Sequence, residues 1–454
     1  MDKNTRYCHE VELDDGRGIL FHTLTFGYRM LSAEELRLWR SSQYGRLTSF
    51  LREELTKKRF ISSENKDDIL LRTAISAFSR RSGRAPSVYV YLTTECNMRC
   101  PYCFQDGSDR HISLAPEDIG RITDSVKALQ KRHGRIKPVF FGGEPLLAKN
   151  KEVFVGLIEA LADAGCCPAE IVTNGTQLRE FLPELVRLEH HIEGLRFTLY
   201  GPRGLNDRFR FEKNGSRENF GDTMRNIRDV IAATSKLKIY LNLLLDQRVI
   251  ERVPEMIGEL RKEGVLDEKR VVPSFGRIQF RCSRLQSSRY PHELNYEDYY
   301  PALLKLVASG VISRDLVAGS EVEMMWKIFR GWETGDCAVP NFKGCRAVYP
   351  GRYCFYPDGL IYPCTEIAGC KGGEIGEFRP GLRFFKSLDE WNRYPETFLG
   401  KCAACKYIGM CNGACPATNM EGAGRIDDLR CINYKDSLDK FLVALDRTGM
   451  LEHV

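Results

Sequence analysis

The chain has no apolar run approaching the ~18 residues that a membrane span needs, so none of its 454 residues is expected to cross a membrane and no membrane partner is expected. Its start, Met1-Asp2-Lys3-Asn4, lacks the basic-then-apolar pattern of a secretory signal, and a cytoplasmic location is the expectation. It also lacks a dense block of one charge. The net charge of +6 is diffuse, and the basic runs Lys57-Lys58-Arg59 and Arg80-Arg81 are short; solvated faces account for them, and no nucleic-acid partner is expected. Cysteine is what the chain has in abundance. In a reducing compartment its seventeen cysteines read as metal ligands rather than disulfides. Ten of them lie from Cys337 to Cys431, which marks a metal-rich region near the C-terminus. Hydrophobic content of 43% and aromatic content of 10% are enough for two or three domains with substantial cores.

A second concentration of thiols is Thr94-Glu95-Cys96-Asn97-Met98-Arg99-Cys100-Pro101-Tyr102-Cys103, directly after the strand-like run 87–92. Three thiolates at C-x3-C-x2-C spacing hold three corners of a four-iron cube and leave one iron open for chemistry. The competing reading, a zinc knuckle short of one ligand, fits less well because zinc sites pair C-x2-C with a second such pair. The spacing and the aromatic Tyr102 before the last cysteine resemble the radical S-adenosylmethionine (SAM) enzymes. The resemblance implies a [4Fe–4S] cluster on Cys96, Cys100 and Cys103 whose open iron binds SAM. It also implies reductive cleavage of SAM to a 5′-deoxyadenosyl radical, with an electron donor such as flavodoxin or ferredoxin.

From residue 87 strands and helices alternate. Strand-like runs are 87–92, 138–141, 169–173, 195–199, 238–245 and, weaker, 277–281, with helix-like stretches 116–131, 151–164, 177–188, 219–234 and 250–263 between them. Such alternation predicts parallel strands with crossover helices, an α/β partial (β/α)6 barrel of the TIM type. Function then gathers on the loops at the strand C-terminal ends, where the cysteine loop falls. On the same rim, Gly142-Gly143-Glu144-Pro145 ends the second strand and resembles the family block that binds the SAM amino group. Thr173-Asn174-Gly175 ends the third and resembles the segment that reaches the SAM ribose, although Asn-Gly is also an ordinary turn. After the fourth strand comes Tyr200-Gly201-Pro202, then Asn206-Asp207-Arg208-Phe209-Arg210. Relatives carry Asp-Gly-Pro followed by His-Asp and an Arg, so Tyr200 and Asn206 are departures, while Arg210 keeps a guanidinium able to clamp the SAM carboxylate bidentately. Asn242, in the fifth strand, is a lesser candidate for a cofactor contact.

Near the C-terminus a hairpin is expected around Asp358-Gly359, from 352–356 to 360–362. The cysteine order is Cys345-x13-Gly359-x4-Cys364, then Cys402-x2-Cys405-x5-Cys411-x3-Cys415-x15-Cys431. This is similar to the SPASM accessory domain of peptide and sulfatase maturases, with all seven motif cysteines present. The resemblance implies two auxiliary [4Fe–4S] clusters, three clusters in all. The outer one falls to Cys402, Cys405, Cys411 and Cys431, and the inner one to Cys345, Cys364 and Cys415. Cys337 is a candidate for the inner cluster's fourth ligand, in competition with Cys354, Cys370 or an open iron. Two zinc sites are the alternative. Cys8, Cys166, Cys167 and Cys282 fit neither array.

Residues 1–85 carry no chemical motif; a strand at 18–25, an N-cap at Ser32 and helical spacing over 45–58 suit a small winged-helix-like unit. Relatives use such a unit to add a leader peptide as an extra strand; a packing role is equally consistent. The expected organisation is therefore 1–85, a barrel at 86–300, a bridging helical region at 301–336 and a SPASM domain at 337–454. The favoured function is oxidative crosslinking of a ribosomally made precursor peptide with a leader. Formylglycine formation on sulfatases, peptide epimerisation and non-catalytic electron transfer are the alternatives. For formylglycine formation, relatives have an Asp directly after an auxiliary-cluster cysteine, where this chain has Thr365. Glu366, Tyr200, Asp207 and Glu321 are all conceivable as the general base.

Overall fold

In the computed structural model the described residues are 2–62, 66–80, 86–105, 111–215, 218–278, 290–313, 340, 342, 345–348, 350–411, 413–423, 425–429, 431 and 434–451. Six parallel strands build the centre: Ser87–Tyr91, Lys137–Phe141, Ala169–Thr173, Ile192–Tyr200, Lys238–Leu245 and Val271–Arg277, paired in chain order. Each strand turns one set of side chains outward to the helices, and these are fully buried aliphatics and aromatics such as Val88, Val90, Phe140, Ile171, Leu195, Phe197, Leu241 and Leu243. The other face carries polar and aromatic residues at period two. Lys137, Glu170 and Arg196 there form one ion-paired chain, Lys137 Nζ to Glu170 at 3.1 Å and Arg196 Nε to Glu170 at 2.6 Å.

The intervening helices follow their sequence signals. Glu117–His133 has Glu117 and Asp118 in its first turn and Lys131, Arg132 and His133 in its last, both complementing the helix dipole. Ile122, Val126 and Leu129 lie on its buried stripe. The next helices are Lys151–Asp163, Leu182–Arg187, Asn219–Ala233 and Val253–Lys262. Five strands match their expected positions. The sixth does not: it spans Val271–Arg277 rather than 277–281, and residues 279–289 lie outside the described ones. Among the described residues it pairs with Lys238–Leu245 alone, so the barrel is open.

The sheet continues on its other side. Arg352–Phe355 pairs parallel with the first strand, Arg352 opposite Ser87 and Phe355 opposite Val90. Leu360–Tyr362 then folds back antiparallel through the expected turn, with Gly359 at φ +93°, and two short strands, Gly376–Glu377 and Arg383–Phe384, bring the sheet to ten. The cysteine-rich region is thus stitched by backbone hydrogen bonds to the strand that carries the opening cysteine loop. Arg379 adds a bidentate clamp, its Nε and Nη2 donating to the buried Asp118 carboxylate.

The N-terminal unit is a three-stranded antiparallel sheet, Cys8–Glu12, Gly18–His22 and Tyr28–Leu31, followed by helices Ala33–Arg40, Ser49–Lys57 and Lys66–Arg80. Ser32 and Glu35 form a reciprocal capping box at the first helix. This sheet packs on the cysteine-rich end: His9 bonds Tyr407 Oη at 3.0 Å and Asp439 at 2.7 Å, and the Thr23 hydroxyl donates to the Lys406 carbonyl.

His22 gives the unit a measurable pH dependence. Its Nδ1 accepts from the backbone N–H of Leu24 at 3.3 Å and of Thr25 at 3.1 Å, so the neutral ring latches the turn. Burial pushes its pKa down from 6.5 to about 4. The unfolded state therefore binds the proton first, and stability is lost as pH falls from about 6.5 toward 4. By pH 5 the loss is about 2 kcal/mol. Thermal melts should show a lower transition at pH 5 than at pH 7, and His22→Gln should narrow that gap.

Candidate active site

The site is assembled at the C-terminal ends of the strands. The cysteine loop leaves the first strand and makes a short antiparallel pairing of its own, Met98–Arg99 with Phe211–Glu212, which anchors it to the segment after Arg210. Cys103 N–H donates to the Cys100 carbonyl at 3.1 Å, closing a tight turn between the last two thiols. Cys96 Sγ accepts the Met98 N–H at 3.4 Å. The same i to i+2 bond recurs at Cys364 with Glu366 N–H and at Cys405 with Tyr407 N–H, each at 3.4 Å. Backbone donors aimed at sulfur stabilise a thiolate. Burial opposes them, pushing Cys96 up to about 12 and Cys402 up to about 11. Thiols in this setting are deprotonated by a soft metal rather than by water.

Gly142 and Gly143 lie against this loop. A Cβ on either would run into the carbonyl oxygens of Thr93 and Glu95, and Gly142 has φ +140°. The glycines are thus required by close packing on the cysteine loop itself. Gly143 N–H donates to Thr93 O at 2.9 Å and Glu144 N–H to Glu95 O at 2.8 Å. The Pro145 carbonyl is held by Asn150 Nδ2 at 3.2 Å.

Glu144 is buried and turns its side chain toward the third strand. It accepts from Thr173 Oγ1 at 2.6 Å, Asn174 N–H at 2.7 Å and Leu146 N–H at 3.0 Å. Burial nonetheless pushes its carboxyl up. Asn174 in turn donates from Nδ2 to Asn97 Oδ1 at 2.8 Å and to Cys96 Sγ at 3.7 Å. The carboxylate thus couples the second and third strand ends to the cysteine loop. Glutamine at this position has one acceptor oxygen for three donors and sets its own N–H2 against one of them. Glu144→Gln should cost about 1–3 kcal/mol, read as a lower urea midpoint with the same slope.

Arg210 is 5% exposed, with Nη1 on Tyr102 Oη at 3.3 Å and Nη2 near Met98 Sδ at 3.9 Å. Tyr102 stacks on Tyr200 with ring centroids 4.8 Å apart. Behind Tyr200 lies a cluster that sequence reading missed. Asp246, fully buried just past the fifth strand, accepts from Tyr200 Oη at 2.5 Å, from Tyr290 Oη and from Arg248 Nη2 at 3.1 Å. An aspartate immediately after a barrel strand was the signal that could have found it. Asn206 Oδ1 accepts the Tyr200 N–H at 3.1 Å, and Asp207 caps the helix Asn219–Ala233 through Phe220 N–H at 2.7 Å. Of the conceivable bases, Tyr200 and Asp207 are therefore committed to structural bonds. Glu321 lies outside the described residues. Asn242 faces the barrel interior with Oδ1 against Gly276.

The fifteen described cysteines are free of disulfides. Among the described residues no three His, Cys, Asp or Glu side chains are drawn close enough to hold a single metal ion. The thiols of Cys402, Cys405, Cys411 and Cys431 lie within electrostatic range of one another, as do Cys345 and Cys364. Buried Tyr394 lies within electrostatic range of Cys345, Cys411 and Cys415. Cys354 is fully buried in the aromatic cluster of Tyr91, Tyr356 and Tyr362, and burial pushes its thiol up to about 12. Cys370 is half-buried against the core. Cys337 and Cys282 lie outside the described residues. A cavity of about 250 Å³ lined by Arg135, Ile158, Cys166, Cys167 and His191 opens at the N-terminal ends of the strands, away from this rim. No helix of the described residues is long and apolar enough to cross a membrane.

The fold is an open parallel barrel with three thiols on the loop after its first strand. Residues 90–260 match the Radical SAM superfamily, so this stretch of the chain is a radical SAM domain. An Archaeoglobus fulgidus protein described only as uncharacterized is 23% identical over 413 residues, 86% of this chain and 85% of its own. The GTP 3′,8-cyclase of Stenotrophomonas maltophilia is 35% identical over 101 residues, 22% of this chain and 29% of its own length. Among solved structures, native anSMEcpe with bound AdoMet and Kp18Cys peptide aligns at TM-score 0.62 and 17% identity, over 80% of this chain and 98% of its own. Streptococcus suis SuiB bound to precursor peptide SuiA aligns at TM-score 0.54 and 15% identity, over 95% of this chain and 99% of its own. At these identities the likeness is one of fold.

Proposed function

We propose that the protein is a maturase that uses SAM to abstract a hydrogen atom from a ribosomally made precursor peptide and then oxidatively forms a thioether, carbon–carbon or carbon–oxygen link. The observation that carries this reading is the extent of the SuiB likeness, 95% of the chain, in a protein bound to its precursor peptide. The anSMEcpe likeness covers 80% and supports formylglycine formation as the second reading. Thr365 directly after Cys364, in place of an acid, favours the first.

Cys96, Cys100 and Cys103 would hold the SAM-binding [4Fe–4S] cluster; their backbone N–H bonds, burial and turn geometry fit it. Cys402, Cys405, Cys411 and Cys431 would hold the outer auxiliary cluster, and Cys345, Cys364 and Cys415 the inner one, with Cys337 as fourth ligand. When bound, the first cluster supplies the electron for SAM cleavage, and the auxiliary ones accept the electron released when the link forms. Arg210 would hold the SAM carboxylate, backbone of Gly142–Pro145 its amino group, and the Thr173–Asn174 segment its ribose. Tyr102, fixed between Tyr200 and Arg210, would bound the cofactor space. The leader would add to the N-terminal sheet at the edge strand Tyr28–Leu31, and a small flavodoxin or ferredoxin would deliver electrons. Forming the link removes two hydrogens from the peptide: one leaves on 5′-deoxyadenosine, and the other leaves as a proton with its electron passed on.

The test is the anaerobically reconstituted, reduced protein with SAM and the product of a short neighbouring reading frame. Formation of 5′-deoxyadenosine together with a peptide lighter by two hydrogens is the expected result. Formylglycine on a sulfatase-derived peptide, with the precursor untouched, would move the assignment to the second reading. No 5′-deoxyadenosine under any condition would sink both.

A further inference from the structure

Arg352 begins the strand that joins the C-terminal hairpin to the barrel. In the hairpin Cys354 pairs with Tyr362, and continuing that register by two residues sets Arg352 beside Cys364. On its other side Arg352 pairs with Ser87 of the first barrel strand. Its guanidinium carbon sits 4.7 Å from the Tyr89 ring centroid. The charge of Arg352 acts on the thiols of Cys345, Cys354 and Cys364. Its Nε is buried with no hydrogen-bond partner, and among the described residues no carboxylate lies within ion-pair distance of it. Arginine cannot shed its proton, and a half-buried guanidinium whose Nε is out of water without a partner calls for an anion nearby. Cys345 and Cys364 are two of the thiols assigned to the inner auxiliary site, so the missing negative charge has an evident source: a four-iron cluster with thiolate ligands is net negative.

We propose that Arg352 is a positioning residue for the inner auxiliary cluster, its guanidinium lying against the cluster's sulfurs and raising its reduction potential. This rests on the assignment of Cys345, Cys364 and Cys415 as ligands of that cluster. A fixed cation stabilises the more negative, reduced state, and hydrogen bonds to sulfur act in the same direction. Held by Cys345, Cys364 and Cys415, such a cluster would accept the single electron left on the substrate more readily, the substrate being oxidised and its proton released to solvent. The strand pairing with Ser87 fixes this cation on the sheet face that carries Tyr89.

The experiment is iron quantitation followed by an EPR-monitored redox titration on anaerobically reconstituted wild type, Arg352→Lys and Arg352→Gln. With the full iron complement in all three, a lower midpoint for the inner cluster in Arg352→Gln and a near-wild-type midpoint in Arg352→Lys are the expected results. Loss of the inner cluster's iron in Arg352→Gln but not in Arg352→Lys also supports the role of the charge. Unchanged midpoints at full iron overturn the proposal, even if the KM for peptide rises, and so does loss of iron from both variants, which would make Arg352 a packing residue. Wild type holding iron for the opening loop alone would instead defeat the auxiliary-cluster assignment itself.

Discussion

Replacing Cys96, Cys100 and Cys103 together by alanine is expected to lower bound iron from about twelve to about eight per chain and to abolish SAM cleavage. The iron loss follows from the donor set: the three thiols sit on one turn anchored at both sides, by the first strand and by the Met98–Arg99 pairing with Phe211–Glu212. No other described cysteine joins that loop as a substitute ligand. The loss of chemistry would be complete because the clusters proposed for the C-terminal cysteines rest on other elements. Anaerobic iron and sulfide quantitation with 5′-deoxyadenosine detection checks both parts. Cys166→Ala and Cys167→Ala, at the opposite end of the barrel, should leave both readouts at wild-type levels. Iron that stays near twelve in the triple variant would remove the opening loop from the metal chemistry. A wild-type value near four would remove the C-terminal arrays from it.

The chemistry-bearing loop was legible because its constraint is local. A cluster demands thiols at fixed short spacing, and a strand before the loop fixes which rim it occupies. The first five barrel strands were legible for the same kind of reason, since an apolar outward face repeats at period two along each. The sixth was not. Val271–Arg277 contains Pro273 and Gly276 and exposes Val272, which an edge strand tolerates and a central strand does not, so its apolar signal is broken. Long-range register was also silent. Nothing in the local pattern of 352–355 says that it will pair with 87–91, yet that pairing is what brings Cys364 and Arg352 to the barrel. The Tyr200, Asp246 and Tyr290 cluster shows the same limit, because a strand end and two loop residues far apart in the chain meet only once the rim is built. Tyr200 read in sequence as a departure from Asp. In the fold an aspartate is still present behind that position, supplied by Asp246, with the tyrosine hydroxyl extending its hydrogen bond toward the site.

Arg210→Gln is expected to weaken SAM binding by about 10- to 100-fold without loss of iron. Arg210 is buried, its backbone N–H is tied to the Asn206 carbonyl at 2.7 Å, and its own carbonyl is held by Asn219. Of its five side-chain donors, the described partners engage two, and both partners are neutral and weak: a tyrosine oxygen at 3.3 Å and a methionine sulfur at 3.9 Å. No carboxylate lies within ion-pair distance among the described residues. A buried cation so placed, beside Cys96 and Cys100, calls for an anion that arrives with the ligand, and the SAM carboxylate has the geometry for a bidentate pair. A charge-assisted bond of that kind contributes about 1.5–3 kcal/mol, hence the expected fold-change. Arg210→Lys keeps the charge and loses the fork, so it should recover only part of the affinity. Equilibrium binding of SAM to the reconstituted protein reads the effect directly, and the split between KM for SAM and kcat separates it from a change in chemistry. If binding is unchanged in Arg210→Gln while the melting temperature falls, the arginine serves to hold Tyr102 and Met98 in place, and the carboxylate must be met by backbone alone.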